Sequence, residues 1–306
     1  MTTIRAETIL SSQHVQRPDI RLSTLLLTYP RAIHAEFMTH RQFSRNAGSS
    51  RAIPVSKMIQ DVMDNPFIPL HWGKNQKGMQ ATEECNDLVD IPHEERTFGC
   101  FHTTREKAWL WARDRAVETA KGYANAGYHK QIVNRLLEPF MHIRVVVSST
   151  EWSNFLALRD HPDAEPHIAM LAREIRKELE KPAMQVLQPG QWHTPFVNDT
   201  GDGLYQTEVW KEWAIPMASA CCASTSYKTV DGFDMTIQRA NAIFDKLVEK
   251  PPLHASPFEH VAKADEWNEW ELGAGMTQLY GWLDDQLHGN FQGFCQYRKM
   301  LPNECL

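Results

Sequence analysis

A chain of 306 residues, 42% apolar and 23% charged, is long enough to bury a sizeable core and too ordinary in composition for a disordered or fibrous protein. Its formal charge of −6, from 32 basic and 38 acidic residues, excludes capture of a nucleic acid or an anionic membrane by bulk attraction, so any anion must be held by a local cluster. No apolar run approaches membrane-spanning length and the opening residues MTTIRAETILSSQHVQ lack the apolar centre of a signal peptide, so no membrane and a cytoplasmic location are expected.

In chain order, Asp19 to Leu27 reads as a strand running into the turn at Pro30. The window from Phe37 to Gln60 follows, with Arg41, Arg45, Arg51 and Lys57 and no Asp or Glu. Residues 65 to 92 mix Pro, Gly and polar residues without periodicity and predict a long ordered loop or lid, taken to extend to residue 100. Thr103 to Lys121 predicts a helix, with an apolar stripe through Ala108, Trp109, Ala112 and Ala116. Val145 to Val147 is a β-branched run expected in a buried strand. A second helix starts near Asp163, with a stripe of Ile168, Leu171, Ile175 and Leu179 and a stop at Lys181 and Pro182. A third spans Asp234 to Lys250, with Ile237, Ala240, Phe244, Leu247 and Val248 on one face. Long helices with a few strands in no regular βαβ alternation predict an α+β fold, with long helices on a small, mostly antiparallel sheet. Neither a Gly-x-Gly-x-x-Gly loop nor a Walker motif is present. The six cysteines form no C-x-x-C pair and read as reduced thiols, and the fourteen histidines show no metal-site spacing, so no metal is expected.

Three clusters carry chemistry. The first is THRQFSRNAGSSRAIP, Thr39 to Pro54: guanidiniums match phosphate oxygens two at a time, and small residues let backbone amides approach a ligand. The second, Asn134 to His161, sets Arg135, Arg144 and Arg159 in apolar surroundings, where at least one is expected to be partly desolvated; pairing with Glu138, Glu151 or Asp160 is an equal alternative. The third, PPLHASPFEHVA from Pro251 to Ala262, places His254, Glu259 and His260 around a rigid turn. The tail Gly289 to Lys299 is rich in glycine and aromatics and is expected to fold back over the site, with Cys295 a packed thiol rather than a nucleophile.

Together these clusters resemble the flavin-dependent thymidylate synthases, the ThyX family, whose signature is Arg-His-Arg, seven residues, then Ser and usually Gly-Arg. Here Thr39-His40-Arg41 is followed after seven residues by Ser49-Ser50-Arg51. Arg135 and Pro139 resemble the family's R-x-x-x-P, Asn154 to Arg159 (NFLALR) its NFLNLR, Ser224 to Tyr227 (STSY) its RVSF, and the third cluster its H-x-x-P-F-E-H. The last two normally precede the Arg-His-Arg segment, so the motif order here looks circularly permuted.

The resemblance implies one permuted catalytic domain over residues 1–306, with a C-terminal extension at 263–306, assembled as a homotetramer with shared active sites and binding no nucleic acid. The implied activity is C5-methylation of a pyrimidine deoxynucleotide monophosphate, dUMP to dTMP in type, with FAD as cofactor and methylene-tetrahydrofolate and NADPH as co-substrates. By position, His40, Arg41, Asn46, Asn154, Ser226, His254 and Glu259 would contact flavin; Ser49, Arg51 and Arg135 would hold the phosphate; Arg159 would lie against the pyrimidine, with Ser49 and Arg159 at the catalytic positions. Thr39 replaces the first signature Arg, Glu36 a Gln, Ala47 a Glu, and Ser148 stands where an Asn would meet the flavin. These departures open two alternatives, a dCMP methyltransferase or a hydroxymethylase making modified DNA precursors, and a non-catalytic flavin- or nucleotide-binding homologue.

Overall fold

The computed structural model describes residues 2–92, 100–199, 201–225, 235–249, 253–271, 278–302 and 304. Strand β1 (Arg5–His14) and β2 (Arg21–Pro30) form a long hairpin; a short helix α1 (His34–Phe37) and β3 (Ser44–Ala47) follow, then α2 (Val55–Asp64). The expected loop from residue 65 holds neither helix nor strand until β4 (Val89–Pro92), which pairs with β5 (Cys100–Thr103). Helix α3 (Arg105–Asn125) and the short α4 (Lys130–Val133) lead through a 3-10 segment, Asn134–Phe140, into β6 (His142–Ser149). Helices α5 (Ser153–Arg159) and α6 (Pro166–Leu179), strands β7 (Gln185–Leu187) and β8 (Trp192–His193) and helix α7 (Glu208–Ala223) come next. The remainder comprises the helix Ile237–Glu249, the 3-10 turn Ser256–His260, β9 (Ala262–Ala264), β10 (Trp267–Glu271), β11 (Gln278–Trp282) and β12 (Phe294–Gln296).

The main sheet has the order β3-β6-β2-β1-β7, antiparallel except for the β1–β7 pair, and the class is α+β. Side chains alternate across it. Leu25, Leu27 and Tyr29 of β2 and Ile143, Val145 and Val147 of β6 point to one face, where the stripe Ile168, Leu171 and Ile175 of α6 closes the principal core. Helix α6 begins where Glu165, not Asp163, accepts the amides of His167 and Ile168.

In helix α3, Trp109 and Ala116 of the expected stripe pack against the core, but Ala112 is exposed, and Arg113, Val117 and Ala120 are the buried positions. The physical reason is Arg113, whose Nη1 donates to the carbonyls of Val62 and Met63 at 3.2 Å each and so satisfies the carbonyl end of α2. In the helix Ile237–Glu249 the first and last members of the expected stripe, Ile237 and Val248, are exposed. Among the described residues no helix is long and apolar enough to cross a membrane.

The other face of the sheet is polar and buried. Ser12 Oγ lies 2.6 Å from His193 Nδ1, His193 Nε2 2.8 Å from Thr24 Oγ1, Thr24 Oγ1 2.6 Å from Ser148 Oγ, and Ser148 Oγ 2.8 Å from His260 Nδ1. Burial holds both imidazoles down at about 3, and His260 adds a repulsive contribution at His193. The unfolded chain, with histidines near 6.5, therefore binds protons that the folded protein refuses. Their contribution to stability is fully present above pH 6.5 and is lost as pH falls below it, by about 1 kcal/mol per pH unit per histidine, a loss that urea unfolding at pH 7 and pH 5 measures. In the opposite core, Ile168→Ala is expected to cost about 2–5 kcal/mol in the same assay.

Candidate functional site

The turn after α1 is closed locally: Thr39 N and Thr39 Oγ1 both donate to the Glu36 carbonyl, at 3.1 and 2.7 Å. This sets His40 edge-on to Phe155 of α5, with ring centroids 4.9 Å apart. Arg159, the last residue of α5, donates from Nε to His40 Nε2 at 2.9 Å, and its Nη1 lies 3.6 Å from Glu36 Oε2. His40 Nε2 accepts, so the ring proton sits on Nδ1. Burial, then the Arg159 and Arg45 cations, pull the His40 pKa below its ordinary value and keep the ring neutral.

His40, Arg41, Asn154, Phe155 and Arg159 line an open cleft of about 210 Å3. Four of the residues singled out in the sequence, His40, Arg41, Asn154 and Arg159, thus converge from segments more than a hundred positions apart. Of the carboxylates expected as partners of the second cluster, Asp160 binds Arg173 and Arg176, Glu138 binds Arg31 and Ser50, and Glu151, which lines the cleft, accepts from the Ser153 amide.

At the far end of β3, the buried Asn134 donates from Nδ2 to the carbonyls of Ser50 (2.7 Å) and Ile53 (2.9 Å). This ties the turn carrying Arg135 to the loop carrying Ser49 and Arg51, so the three expected phosphate ligands share one corner. Arg51 and Arg135 are exposed, and Arg135 Nε rests on the Gln131 carbonyl at 3.1 Å. None of the three lines the Arg159 cleft. Asn46 points across the sheet to the Cys222 carbonyl at 3.2 Å, His254 is exposed, and Ser226 lies outside the described residues. Ser148 is wholly buried in the polar chain.

The tail returns to this region. Asn290 Nδ2 donates to the Gln42 carbonyl at 2.7 Å, and Gln296 Nε2 donates to Ser44 Oγ at 3.1 Å and Asn290 Oδ1 at 2.6 Å. Gly289 holds φ at 62°, where a Cβ would strike the Gln296 side chain. Glu259 is bound by Arg298, which also holds Glu304 at 2.9 Å. Cys295 is fully buried and its thiol is pushed up to about 12, first by burial and then by Asp265, which removes it as a nucleophile near neutral pH. Among the described residues Asp265, His288 and Cys295 form one group with metal-ligand proximity. Their polar atoms already serve one another: Asp265 Oδ2 accepts from His288 Nε2 at 2.8 Å and from the Asp284 amide at 3.0 Å.

A larger cavity of about 530 Å3, with Gly48 and Ser50 in its lining, is lined also by Arg5, Thr28, Arg31, Lys57, Asp61 and Arg144. Of these the sequence marked only Lys57 and Arg144 as parts of clusters. The others carry no motif: strand register joins Arg5 and Thr28 to Arg144, and tertiary packing brings Arg31 and Asp61 of α2 beside them.

The chain matches no protein-family model and no curated protein. Among solved structures it is similar to the UMP/dUMP methylase PolB from Streptomyces cacaoi bound with 5-Br UMP, at 16% identity over 58% of this chain and 89% of that one, with TM-score 0.43. The same methylase bound with 5-Br dUMP gives 15% identity over 58% and 90%, with TM-score 0.40. Flavin dependent thymidylate synthase ThyX from Helicobacter pylori, complexed with FAD and dUMP, gives 18% identity over 52% and 67%, with TM-score 0.32.

Removing the Arg159 charge is expected to raise the His40 pKa toward 6.5, since a nearby cation disfavours imidazolium. An NMR titration of His40 in Arg159→Ala against the unaltered protein measures it, and an unchanged midpoint would contradict the contact.

Proposed function

We propose that this protein is a flavin-dependent enzyme that methylates C5 of a pyrimidine deoxynucleotide monophosphate, dUMP to dTMP in type, with methylene-tetrahydrofolate as one-carbon donor and NADPH as reductant. The observation that carries the reading is the convergence of His40, Arg41, Asn154 and Arg159 on one cleft, in the spacing of the ThyX-like motifs. The lining suits a flat heterocycle bearing carbonyls and a ring N–H: two guanidiniums, an amide, a neutral imidazole, the Glu151 carboxylate and an aromatic wall at Phe155. A volume of about 210 Å3 takes a ring system rather than a whole dinucleotide. In this reading His40, Arg41 and Asn154 hold the isoalloxazine edge, and the rest of the FAD lies outside the cleft. When bound, the flavin supplies the reducing equivalents and the transient carriage of the one-carbon unit.

The chain's own contribution centres on Arg159. A fixed cation beside a pyrimidine carbonyl stabilises the enolate-like charge that develops as C5 becomes nucleophilic. His40 and Glu36 hold that guanidinium from two directions, so its position is set before substrate arrives. The shared corner of Ser49, Arg51 and Arg135 supports phosphate binding at the other end of β3. In this reading a homotetramer lets a corner of one copy complete the cleft of another.

One observation favours a second substrate. Glu36 places a carboxylate beside Arg159, and a carboxylate accepts from the exocyclic amine of cytosine but not from the carbonyl of uracil. Parallel assays with dUMP and dCMP, each with FAD, methylene-tetrahydrofolate and NADPH, separate the two, and the mass gained by the product separates methyl from hydroxymethyl transfer. A flavin spectrum that never appears on addition of FAD would remove the enzyme reading. Arg159→Ala is expected to keep flavin binding and lose about 10²–10³-fold in turnover; full turnover in that variant would refute the assigned role.

A further inference from the structure

The larger cavity shares no lining residue with the Arg159 cleft. Its floor is one row across three antiparallel strands: Arg5 of β1 pairs with Thr28 of β2, and Thr28 with Arg144 of β6. Directly opposed residues project from the same face, with Cβ atoms about 4.5–5.5 Å apart. Two guanidiniums therefore flank a single hydroxyl. Arg31 and Lys57 add cations to the wall, and Asp61 is the carboxylate among the lining residues.

Among the described residues, the acidic groups nearby leave this row unneutralised. Glu138 is engaged by Arg31 at 3.2 Å and by Ser50 at 2.9 Å. Burial, and then the Asp64 charge, push the Asp61 carboxyl above the usual carboxylate range, which weakens it as a counter-ion. Glu7 and Asp61 attract Arg144 only from a distance, while Arg5 repels it, and among the described residues neither Arg5 nor Arg144 has a carboxylate at ion-pair distance. Between them Thr28 is 7% exposed, and its Oγ1 has no hydrogen-bond partner among the described residues. Like charges set side by side around an orphaned buried hydroxyl oppose folding unless something else satisfies them.

We propose that this cavity binds a phosphate-bearing ligand, with Arg5 and Arg144 taking its oxygens from either side and Thr28 Oγ1 donating between them. The volume falls in the range of nucleotide pockets, and guanidinium pairs match phosphate oxygens in geometry as well as charge. The proposal stands on the strand register and the orphaned hydroxyl, and does not depend on the flavin reading.

Calorimetric titration of the full chain with inorganic pyrophosphate tests it, with dUMP and FAD as competitors. Pyrophosphate is expected to bind, with affinity reduced at least about tenfold in Arg144→Gln and in Arg5→Gln and about threefold in Thr28→Val, and unchanged in Arg159→Ala. Arg5 lies on an exposed strand end, so Arg5→Gln retains the test if Arg144→Gln does not fold. Competition by dUMP assigns the site to a mononucleotide phosphate, and competition by FAD to a dinucleotide diphosphate. Absence of pyrophosphate binding, or equal affinity in Arg144→Gln and Arg5→Gln, would overturn the proposal, even where flavin binding and the Arg159 effect on turnover hold. Arginine-dependent pyrophosphate binding without any flavin spectrum would leave this site standing and remove the flavin reading.

Discussion

Strand β6 is paired along both edges, with β2 over eight positions and with β3 over four, and both candidate sites take their geometry from that pairing. Its odd-numbered residues Ile143, Val145 and Val147 sink into the α5–α6 core, which fixes which way every alternate side chain must face. Arg144 and Ser148 are thereby sent to the opposite face, one to the cationic cavity and the other into the buried polar chain. A slip of one residue would bury Arg144 against Leu27 and Ile168 and expel the valines. The hydrophobic pattern of one face thus determines the chemistry of the other.

The polar chain on that second face costs the protein hydrophobic burial. Five side chains, from Ser12 through His193, Thr24 and Ser148 to His260, occupy buried space that apolar side chains would otherwise fill. Such a network is directional in a way that apolar packing is not. It links β1, β2 and β6 to β8 and to the 3-10 turn bearing Glu259, so the turn from the third sequence cluster is locked to the sheet that carries the first. The Ser148 hydroxyl, small enough to join two neighbours, occupies a position where a larger amide would not fit without moving His260 or Thr24.

Much of this was legible in the residues. The β-branched run at Val145–Val147, the α6 stripe and the motif spacings led to β6, to the core and to the His40–Arg159 cleft, because each depends on short-range periodicity or on fixed spacing. In α3 the stripe packs inward at Trp109 and Ala116 but not at Ala112, and the inward turn of Arg113 was hidden because its partner, the carbonyl end of α2, lies some fifty positions away. The pairing of Glu259 with Arg298 and of Arg159 with Glu36 was equally hidden, since salt-bridge choice is settled by tertiary proximity and not by neighbours in the chain. The row Arg5, Thr28 and Arg144 lies furthest from sequence reasoning: an arginine in a strand looks the same whether solvent or a second arginine stands opposite.

The contacts of Asn290 and Gln296 with Gln42 and Ser44 give the molecule a particular order of construction. The segment holding His40 is synthesised some 250 positions before the residues that clamp its exit into β3. The hairpin, β6 and the α6 core can assemble while synthesis continues. A finished cleft cannot, so a chain cut before residue 290 would carry the main sheet without a settled binding surface, and competence waits for Asn290 and Gln296.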